Sequence, residues 1–176
     1  NSKFKFFKID RNIFSFNDPI ESYNAGFFRC LNCKAKIQLD VDDELLITSC
    51  TSCDFPVLNP AKVGDYLLFQ PLGAGGMGSV YKAVSFSTTQ QYAVKIIPRE
   101  KLGDPICEKN IMVEGQVGEA LGKHENIIPS VDYGIADNEY FLATQYSDGE
   151  RLDNLIDHEG ALDEKEVVEV IRPLFE

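Results

Sequence analysis

Apolar runs separated by turn residues predict a series of β-strands through the middle of the chain. Residues 80–84 are β-branched and aromatic, residues 87–90 have the composition of a turn, and residues 91–97 form the next strand-like run. Two more strands are predicted at residues 127–135 and 139–146, on either side of a short turn. This part of the protein is therefore expected to consist mainly of β-structure.

Apolar residues at helical spacing predict a helix between residues 104 and 121. Its apolar face is formed by Cys107, Ile111, Val117, Gly118 and Leu121. Glu114 falls on the same face, where a carboxylate is unfavourable unless a cation meets it. The alternative is that Glu114 is an ordinary solvated charge. Because Gly115 and Gly118 weaken a helix, we expect this one to depend on packing.

The last part of the chain predicts two short helices. Residues 152–158 form the first, and Asp163 with Glu166 supplies the capping pattern that opens the second. Pro173 is expected to end or kink that second helix. Its apolar side is formed by Val167, Val170, Ile171 and Leu174.

Three glycines at G-x-G-x-x-G spacing, Gly73, Gly75 and Gly78, precede the strand at residues 80–84. A glycine backbone can approach phosphate oxygens closely because no side chain obstructs it. A dinucleotide-binding fold needs a helix directly after the last glycine, whereas here a strand follows. The next strand carries an Ala-x-Lys sequence that ends at Lys95. The remaining alternative is an ordinary glycine-rich β-turn.

From about residue 65 onward, these motifs resemble the small lobe of a protein kinase, and they are most similar to bacterial-type serine/threonine kinases. The resemblance covers roughly two-thirds of the chain, with the motifs in the family's order. It implies an α+β fold with a twisted antiparallel sheet of about five strands and one helix of the αC type. On this reading, residues 65–150 are the small lobe with its hinge, and residues 151–176 begin a truncated large lobe.

The resemblance implies two catalytic residues, Lys95 and Glu114. In the family, the glycine loop covers the phosphates of ATP, and the strand lysine contacts the α- and β-phosphates. Lys95 matches that lysine. Glu114, 19 residues further on, matches the helical glutamate that holds it.

The resemblance also implies an adenine site. Leu72 and Val80 match the two apolar residues that sandwich the adenine base. Ala93 matches the residue that lies above the base, and Thr144 matches the gatekeeper residue behind it. Arg151 stands where many family members carry an acidic ribose contact. The full set implied for nucleotide binding is Leu72, Gly73, Ala74, Gly75, Gly76, Gly78, Val80, Ala93, Lys95, Thr144 and the hinge backbones of Gln145 and Ser147.

The 176 residues contain no His-Arg-Asp, Asp-Phe-Gly or Ala-Pro-Glu motif. In kinases these regions supply the catalytic base and the ligands of both magnesium ions. The chain is therefore expected to be an inactive fragment of an enzyme that transfers a phosphoryl group from Mg-ATP to protein Ser or Thr. It is also expected to self-associate through residues that lack a large lobe to pack on. The alternative is a non-enzymatic interaction module with a pseudokinase scaffold. The residues expected to drive self-association are Val167, Ile171, Leu174 and Phe175.

Two C-x-x-C pairs, Cys30/Cys33 and Cys50/Cys53, are separated by 16 residues. Four thiolates at this spacing suit the tetrahedral S₄ shell of zinc, and residues 27–58 resemble a zinc ribbon. Strands are predicted at residues 36–39 and 45–48, joined by an acidic turn. The alternatives are two disulfides or a redox dithiol, which would make the protein a thiol redox sensor. The fifth cysteine, Cys107, is expected to be a small buried hydrophobe.

The ribbon is expected to be structural and to hold a protein partner or the adjoining lobe. Residues 1–26 are rich in phenylalanine, and residues 3–6 alternate like a half-buried strand. This segment belongs either to the core of the first domain or to a docking surface. Residues 59–64 are predicted to be a linker.

The net charge is −11, and residues 102–176 hold 18 acidic residues against 5 basic ones. Such a surface disfavours nucleic acids and anionic membranes. With no signal peptide or long apolar span in these residues, we expect no membrane segment here and a cytoplasmic location. The expected ligands are ATP, Mg²⁺ and Zn²⁺, and the expected partner is a protein substrate bound by the missing lobe.

Overall fold

The computed structural model of the chain describes residues 19–40, 45, 47–75, 78–97, 103–149 and 151–175. Their largest element is a six-stranded sheet with one long helix against it. A short helix and two hairpins precede the sheet, and two short helices follow it. The strand predicted at residues 3–6 lies outside the described residues.

The amino-terminal module consists of helix α1 (Pro19–Asn24) and two hairpins. Strand β1 (Phe27–Arg29) pairs with β2 (Lys36–Gln38), and β3 (Ile47–Ser49) pairs with β4 (Pro56–Leu58). Strands were expected at residues 36–39 and 45–48, and β2 and β3 fall there. They are not partners of each other, because each C-x-x-C turn closes a hairpin of its own.

The sheet is antiparallel throughout, with the strand order β5-β6-β7-β8-β10-β9. The strands are β5 (Ala61–Val63), β6 (Tyr66–Gly75), β7 (Gly78–Ser85), β8 (Gln91–Ile96), β9 (Ser130–Ala136) and β10 (Glu139–Gln145). Five strands were predicted, and β5 is the sixth. It lies within residues 59–64, so the segment predicted as a linker supplies an edge strand. Ala61 and Val63 are buried there, whereas Lys62 points outward.

Both faces of the sheet are covered near its amino-terminal edge. Neighbouring strand residues point to opposite faces, so Leu67 and Leu68 belong to different clusters. Leu68 packs with Val94 and Phe141, and Leu45 lies against the same cluster. Leu67 belongs to a second cluster that α1 covers with Ile20 and Tyr23. The amino-terminal module is therefore packed onto the sheet.

Helix α2 (Pro105–Leu121) begins at Asp104, whose carboxylate accepts a hydrogen bond of 2.8 Å from the N–H of Ile106. A proline in the first turn suits this start because its missing N–H has no intrahelical acceptor there. The helix lies against β9. Its buried residues are Ile111 and Gly115.

The prediction of which residues form the buried face of α2 is partly wrong. Ile111 is buried, but Val117 and Leu121 are 49% and 51% exposed, and Cys107 is only half-buried. The helix meets the sheet along its glycines, which let the two backbones approach closely. The larger side chains at Val117 and Leu121 are turned toward solvent.

Helices α3 (Leu152–Glu159) and α4 (Glu164–Ile171) follow the sheet, and a 3₁₀ turn (Arg172–Leu174) comes directly after α4. The predicted capping box is confirmed. The N–H of Glu166 donates to Asp163, and the N–H of Asp163 donates to Glu166, each at 2.9 Å. Pro173 lies in the 3₁₀ turn, as expected for a residue that ends the helix. Within the described ranges, no helix combines the length and apolarity needed to cross a bilayer.

Candidate functional site

An ion pair between Lys95 and Glu114 joins the middle of the sheet to α2. The Nζ atom of Lys95 lies 2.7 Å from Oε2 and 2.9 Å from Oε1 of Glu114. A carboxylate that accepts from one ammonium through both oxygens is fixed in orientation as well as position. The two side chains meet as the helical pattern predicted, so Glu114 is not an isolated solvated charge.

The sheet register explains why Lys95 points toward α2. Lys95 is directly paired with Val80 on β7 and with Leu142 on β10. Directly paired residues share a face of a sheet. Leu142 packs against Ile111 of α2, so this face is the one that the helix covers. Lys95 is 21% exposed, and Glu114 is 50% exposed at the rim of the helix.

The glycine hairpin formed by β6 and β7 adjoins Lys95, because Val80 is paired with Lys95 on one side and with Gly73 on the other. Gly75 pairs with Gly78, and Gly73 pairs with Val80. Gly78 has a φ of +135°, and a Cβ there would lie 2.3 Å from the carbonyl oxygen of Ile96. A side chain therefore cannot replace this glycine without moving β8. Gly76 lies outside the described residues.

Gly73 and Gly75 serve a different purpose from Gly78. Among the residues that the structure describes, no atom lies within 4 Å of an ideal Cβ at either position, so both glycines border open space there. Their backbone is therefore accessible to a ligand. Ala74 and Leu72 of the same hairpin are exposed, and Leu72 retains 37% of its accessible surface.

A set of three directly paired strand residues lies next to Lys95 in the sheet. Ala93 is paired with Lys82 on one side and with Thr144 on the other, and Thr144 Oγ1 donates to the Ala93 carbonyl at 3.3 Å. The hinge segment, defined here as residues 145–149, follows β10 at this point. The N–H of Gln145 donates to the Pro129 carbonyl at 3.3 Å, so a ligand could use only the carbonyl of this residue's backbone.

Two features near the hinge segment were not predicted from the sequence. Lys82 Nζ lies 4.1 Å from the centre of the Tyr146 ring. Arg151, noted at the ribose position, forms a bidentate pair with Asp153 at 2.9 and 2.6 Å. That hydrogen bond lowers the pKa of Asp153 below its ordinary value. The Arg151–Asp153 pair could have been predicted, because the sequence places an arginine two residues before an aspartate.

The four cysteines of the two C-x-x-C turns form one cluster, and all their Sγ atoms lie within 4.8 Å of one another. Cys30 and Cys53 are 3.6 Å apart, and Cys33 and Cys50 are 3.7 Å apart, measured between sulfurs. A tetrahedral shell with metal–sulfur bonds of about 2.3 Å separates its sulfurs by about 3.8 Å. The cluster thus fits a single metal ion, and its spacing is far from the ~2.05 Å of a disulfide.

The two cysteine turns have the same backbone geometry. In each, the N–H of the residue after the second cysteine donates to the carbonyl of the first, at 2.9 Å from Lys34 to Cys30 and at 2.8 Å from Asp54 to Cys50. Lys34 and Asp54 both have positive φ, 63° and 56°. The repeated turn directs both thiols of each pair toward the same point.

Hydrogen bonds to sulfur favour the thiolate at Cys53, whereas the pKa values of Cys30 and Cys33 are raised above the ordinary cysteine value. A hydrogen bond from the backbone of Phe55 lowers the pKa of Cys53 to about 6, and Asn32 Nδ2 donates to the same sulfur at 3.6 Å. Burial acts in the opposite direction at Cys30 and raises its pKa. A thiolate is the form of cysteine that binds a metal.

Comparison with known families and proteins agrees with this site. The family model of the protein kinase domain matches residues 66–176, and the chain belongs to this family. The match begins after the cysteine module and covers the glycine hairpin, the ion pair and the hinge segment.

Curated relatives include serine/threonine-protein kinase PknH of Mycobacterium tuberculosis, which is 32% identical over 108 residues, or 61% of this chain and 17% of that protein. Serine/threonine-protein kinase PrkC of Bacillus subtilis is 28% identical over 111 residues, 63% of this chain and 17% of that protein. The chain therefore spans less than a fifth of these relatives.

Among solved structures, the kinase domain of M. tuberculosis PknI is similar with a TM-score of 0.54 and 23% identity. The similarity covers 65% of this chain and 46% of that one. At this identity the likeness concerns the fold.

Proposed function

We propose that this chain is the ATP-binding part of a serine/threonine protein kinase, preceded by a structural zinc ribbon. The observation that carries the proposal is the contact of both Glu114 carboxylate oxygens with Lys95, beside the glycine hairpin. In protein kinases the corresponding pair must be in place for phosphoryl transfer. The names of PknH and PrkC, both serine/threonine kinases, support the same class.

In this proposal the triphosphate lies between the hairpin and Lys95. The open backbone at Gly73 and Gly75 lets N–H groups approach phosphate oxygens, and the ammonium of Lys95 offsets the charge of the α- and β-phosphates. Glu114 keeps that ammonium from turning away. The adenine lies against Leu72, Val80 and Ala93 and meets the backbones of Gln145 and Ser147, with Thr144 behind it.

The reaction that we propose for the whole enzyme is transfer of the γ-phosphoryl group of Mg-ATP to a Ser or Thr hydroxyl of a protein. The catalytic base and the magnesium ligands would come from residues outside these 176, because the chain contains none of the three motifs that carry them. The chain alone is therefore proposed to bind nucleotide without transferring phosphate.

We propose zinc as the ligand of Cys30, Cys33, Cys50 and Cys53, with a structural role. The module of about 30 residues is too small to fold on its apolar surface alone, so metal binding contributes directly to its stability. Cysteines that bind a metal and form no disulfide suit a reducing compartment, which supports a cytoplasmic location in this proposal.

The ribbon supports the adjoining lobe in this proposal. The side chain of Asn59, two residues before β5, is tied to the module, since its amide donates to the Asp40 carbonyl and its oxygen accepts from the Asp40 N–H. Tyr23 of α1 meets Phe86 edge-on at 6.2 Å between ring centres. Loss of the metal would therefore weaken contacts on the sheet itself.

We also propose that the 176-residue chain self-associates through its last two helices. Leu152 and Ile156 of α3 and three residues of α4 line one apolar groove. In a whole kinase such a groove would be covered by the rest of the large lobe. The α4 residues are Val167, Val170 and Ile171.

The experiment that tests the proposed activity uses the full-length protein, Mg-ATP labelled on the γ-phosphate, and a protein substrate rich in Ser and Thr. Label should transfer to Ser or Thr, and Lys95→Met should reduce transfer by at least about a hundredfold. Lys123→Met, which changes an exposed lysine away from the site, is the control and should retain the activity. Transfer that survives Lys95→Met would contradict the proposal.

A further inference from the structure

Lys82 lies on β7 directly opposite Ala93, and its side chain reaches the hinge segment. We propose that Lys82 is a positioning residue that holds the hinge segment in place for adenine through its contact with the Tyr146 ring. This inference rests on the proposed nucleotide-binding function and adds a residue to it. In this proposal Lys82 acts on the hinge segment through the Tyr146 ring.

The geometry of the contact is that of a cation–π interaction. The ammonium of Lys82 lies 4.1 Å from the centre of the Tyr146 ring, well within the ~6 Å range of such contacts. Lys82 is on β7 and Tyr146 follows β10, with β8 between these strands in the sheet. The lysine side chain therefore crosses β8 and ties the glycine hairpin to the hinge segment.

Asp148 completes the arrangement. The Tyr146 hydroxyl donates to Asp148 Oδ1 at 3.2 Å, so the ring is held from its edge as well as from its face. Burial lowers the pKa of Lys82, and the negative charge of Asp148 opposes that shift. The partly buried ammonium thus has both an aromatic face and a carboxylate within its electrostatic reach.

The position of Tyr146 explains the consequence for nucleotide binding. Residues 146–149 lie beyond the last strand pairing, which ends at Gln145 opposite Tyr92. Tyr146 stands between Gln145 and Ser147, whose backbones are the proposed adenine contacts. Anchoring the ring between them restricts the dihedral angles of both neighbours, so the segment is pre-organised for the base.

Amide hydrogen exchange of the full chain tests the anchoring directly. Lys82→Met retains the length and apolar stem of the side chain but loses its charge, and should raise the exchange rate at residues 145–149 by about threefold to tenfold. Lys82→Arg should restore protection. The matched control is Lys62→Met, because Lys62 makes a comparable contact with Phe86, 5.5 Å from its ring centre, at the opposite edge of the sheet from β10. It should leave exchange at the hinge segment unchanged.

Binding of adenosine and of Mg-ATP, measured by calorimetry, tests the consequence. Lys82→Met should weaken both ligands by the same factor of about threefold to tenfold, because the defect lies at the adenine end. Lys95→Met should weaken Mg-ATP and leave adenosine unchanged. Tyr146→Leu should reproduce the Lys82→Met loss, and the double variant should show no further loss.

The outcomes separate this inference from the proposed function. Unchanged hinge exchange in Lys82→Met, or unchanged adenosine affinity while the wild type binds, overturns the role of Lys82 and leaves the nucleotide site standing. A wild-type chain that binds neither adenosine nor Mg-ATP overturns the proposed function, and the inference with it. Increased exchange and equal losses for both ligands, each restored by arginine, establish Lys82 as a positioning residue.

Discussion

Gly115 of α2 lies directly against the ring of Tyr133 on β9, so closely that a Cβ at residue 115 would be 2.2 Å from Cγ of the ring. Gly118 meets Ser130 in the same way, because a Cβ at residue 118 would be 2.0 Å from the Ser130 Oγ atom. These two glycines determine how near the helix comes to the sheet. Glu114 is the neighbour of Gly115, so the same packing determines whether Glu114 reaches Lys95.

The first prediction concerns this packing. Gly115→Ala should lower the free energy of unfolding by about 2 kcal/mol, because the clash outweighs the gain in helix propensity of about 1 kcal/mol. Gly73→Ala is the control, since no described atom lies within 4 Å of its Cβ position, and it should stay within about 0.5 kcal/mol of the wild type. Urea unfolding measures both. A stabilised Gly115→Ala would show that α2 does not approach β9 so closely.

The second prediction concerns the cysteine cluster. Metal analysis of the purified chain should find about one zinc per chain, and Cys30→Ser should remove it and lower the melting temperature. Cys107→Ser should retain the zinc, because Cys107 lies outside the cluster. A chain without metal whose four clustered cysteines are oxidised to disulfides would support the redox alternative instead.

The third prediction concerns Asp65, which lies in the turn between β5 and β6 and accepts hydrogen bonds from the hydroxyls of Ser85 and Ser87 at 2.5 and 2.7 Å. Burial raises the pKa of Asp65, but these hydrogen bonds outweigh it and lower the pKa below its ordinary value. A depressed pKa stabilises the fold above the unfolded value of about 3.9, and this contribution is lost as the pH falls through the folded pKa.

Asp65→Asn should therefore be less stable than the wild type by about 1 kcal/mol at pH 7, a modest value because the group is only partly shielded from solvent. The difference between the two proteins should shrink below about pH 4. Urea unfolding at matched pH values measures it, with the exposed Asp157→Asn as control. A difference that stays constant down to about pH 3 would rule out the depressed pKa.

The fourth prediction concerns self-association of the 176-residue chain. Ile171→Glu places a charge in the apolar groove between α3 and α4 and should shift the chain toward monomer in light scattering at high concentration. Lys165→Glu, on an exposed part of α4, is the control and should leave association unchanged. A wild-type chain that is monomeric throughout would contradict the proposal.

The sequence could predict those parts of the site that depend on residues close together in the chain. Gly78 could be anticipated from the G-x-G-x-x-G spacing, and the structure explains it by a φ of +135° and a close approach to the Ile96 carbonyl. The meeting of Lys95 with Glu114 was predicted from a carboxylate on the helix face expected to be apolar and from the 19-residue separation typical of the family, although Glu114 is 50% exposed in the structure. The capping box of α4 needs only two residues three positions apart.

Other features depend on contacts that no local pattern records. Strand β5 has three residues and only two buried positions, which is too short for an alternation of buried and exposed residues to be recognised in the sequence. It forms because it pairs with the edge of β6. Val117 was expected inside because it is apolar, but the helix uses Gly118 for its contact with the sheet. The contact between Lys82 and Tyr146 joins residues 64 positions apart in sequence, across a strand to which neither belongs.

The most direct measurement of the central claim is a calorimetric titration of the 176-residue chain with Mg-ATP. We predict saturable binding by the wild type, unchanged binding by Lys123→Met, and at least about tenfold weaker binding by Lys95→Met and by Glu114→Gln, because either change breaks the ion pair. Absence of saturable binding, or equal affinity in the wild type and Lys95→Met, would contradict the account.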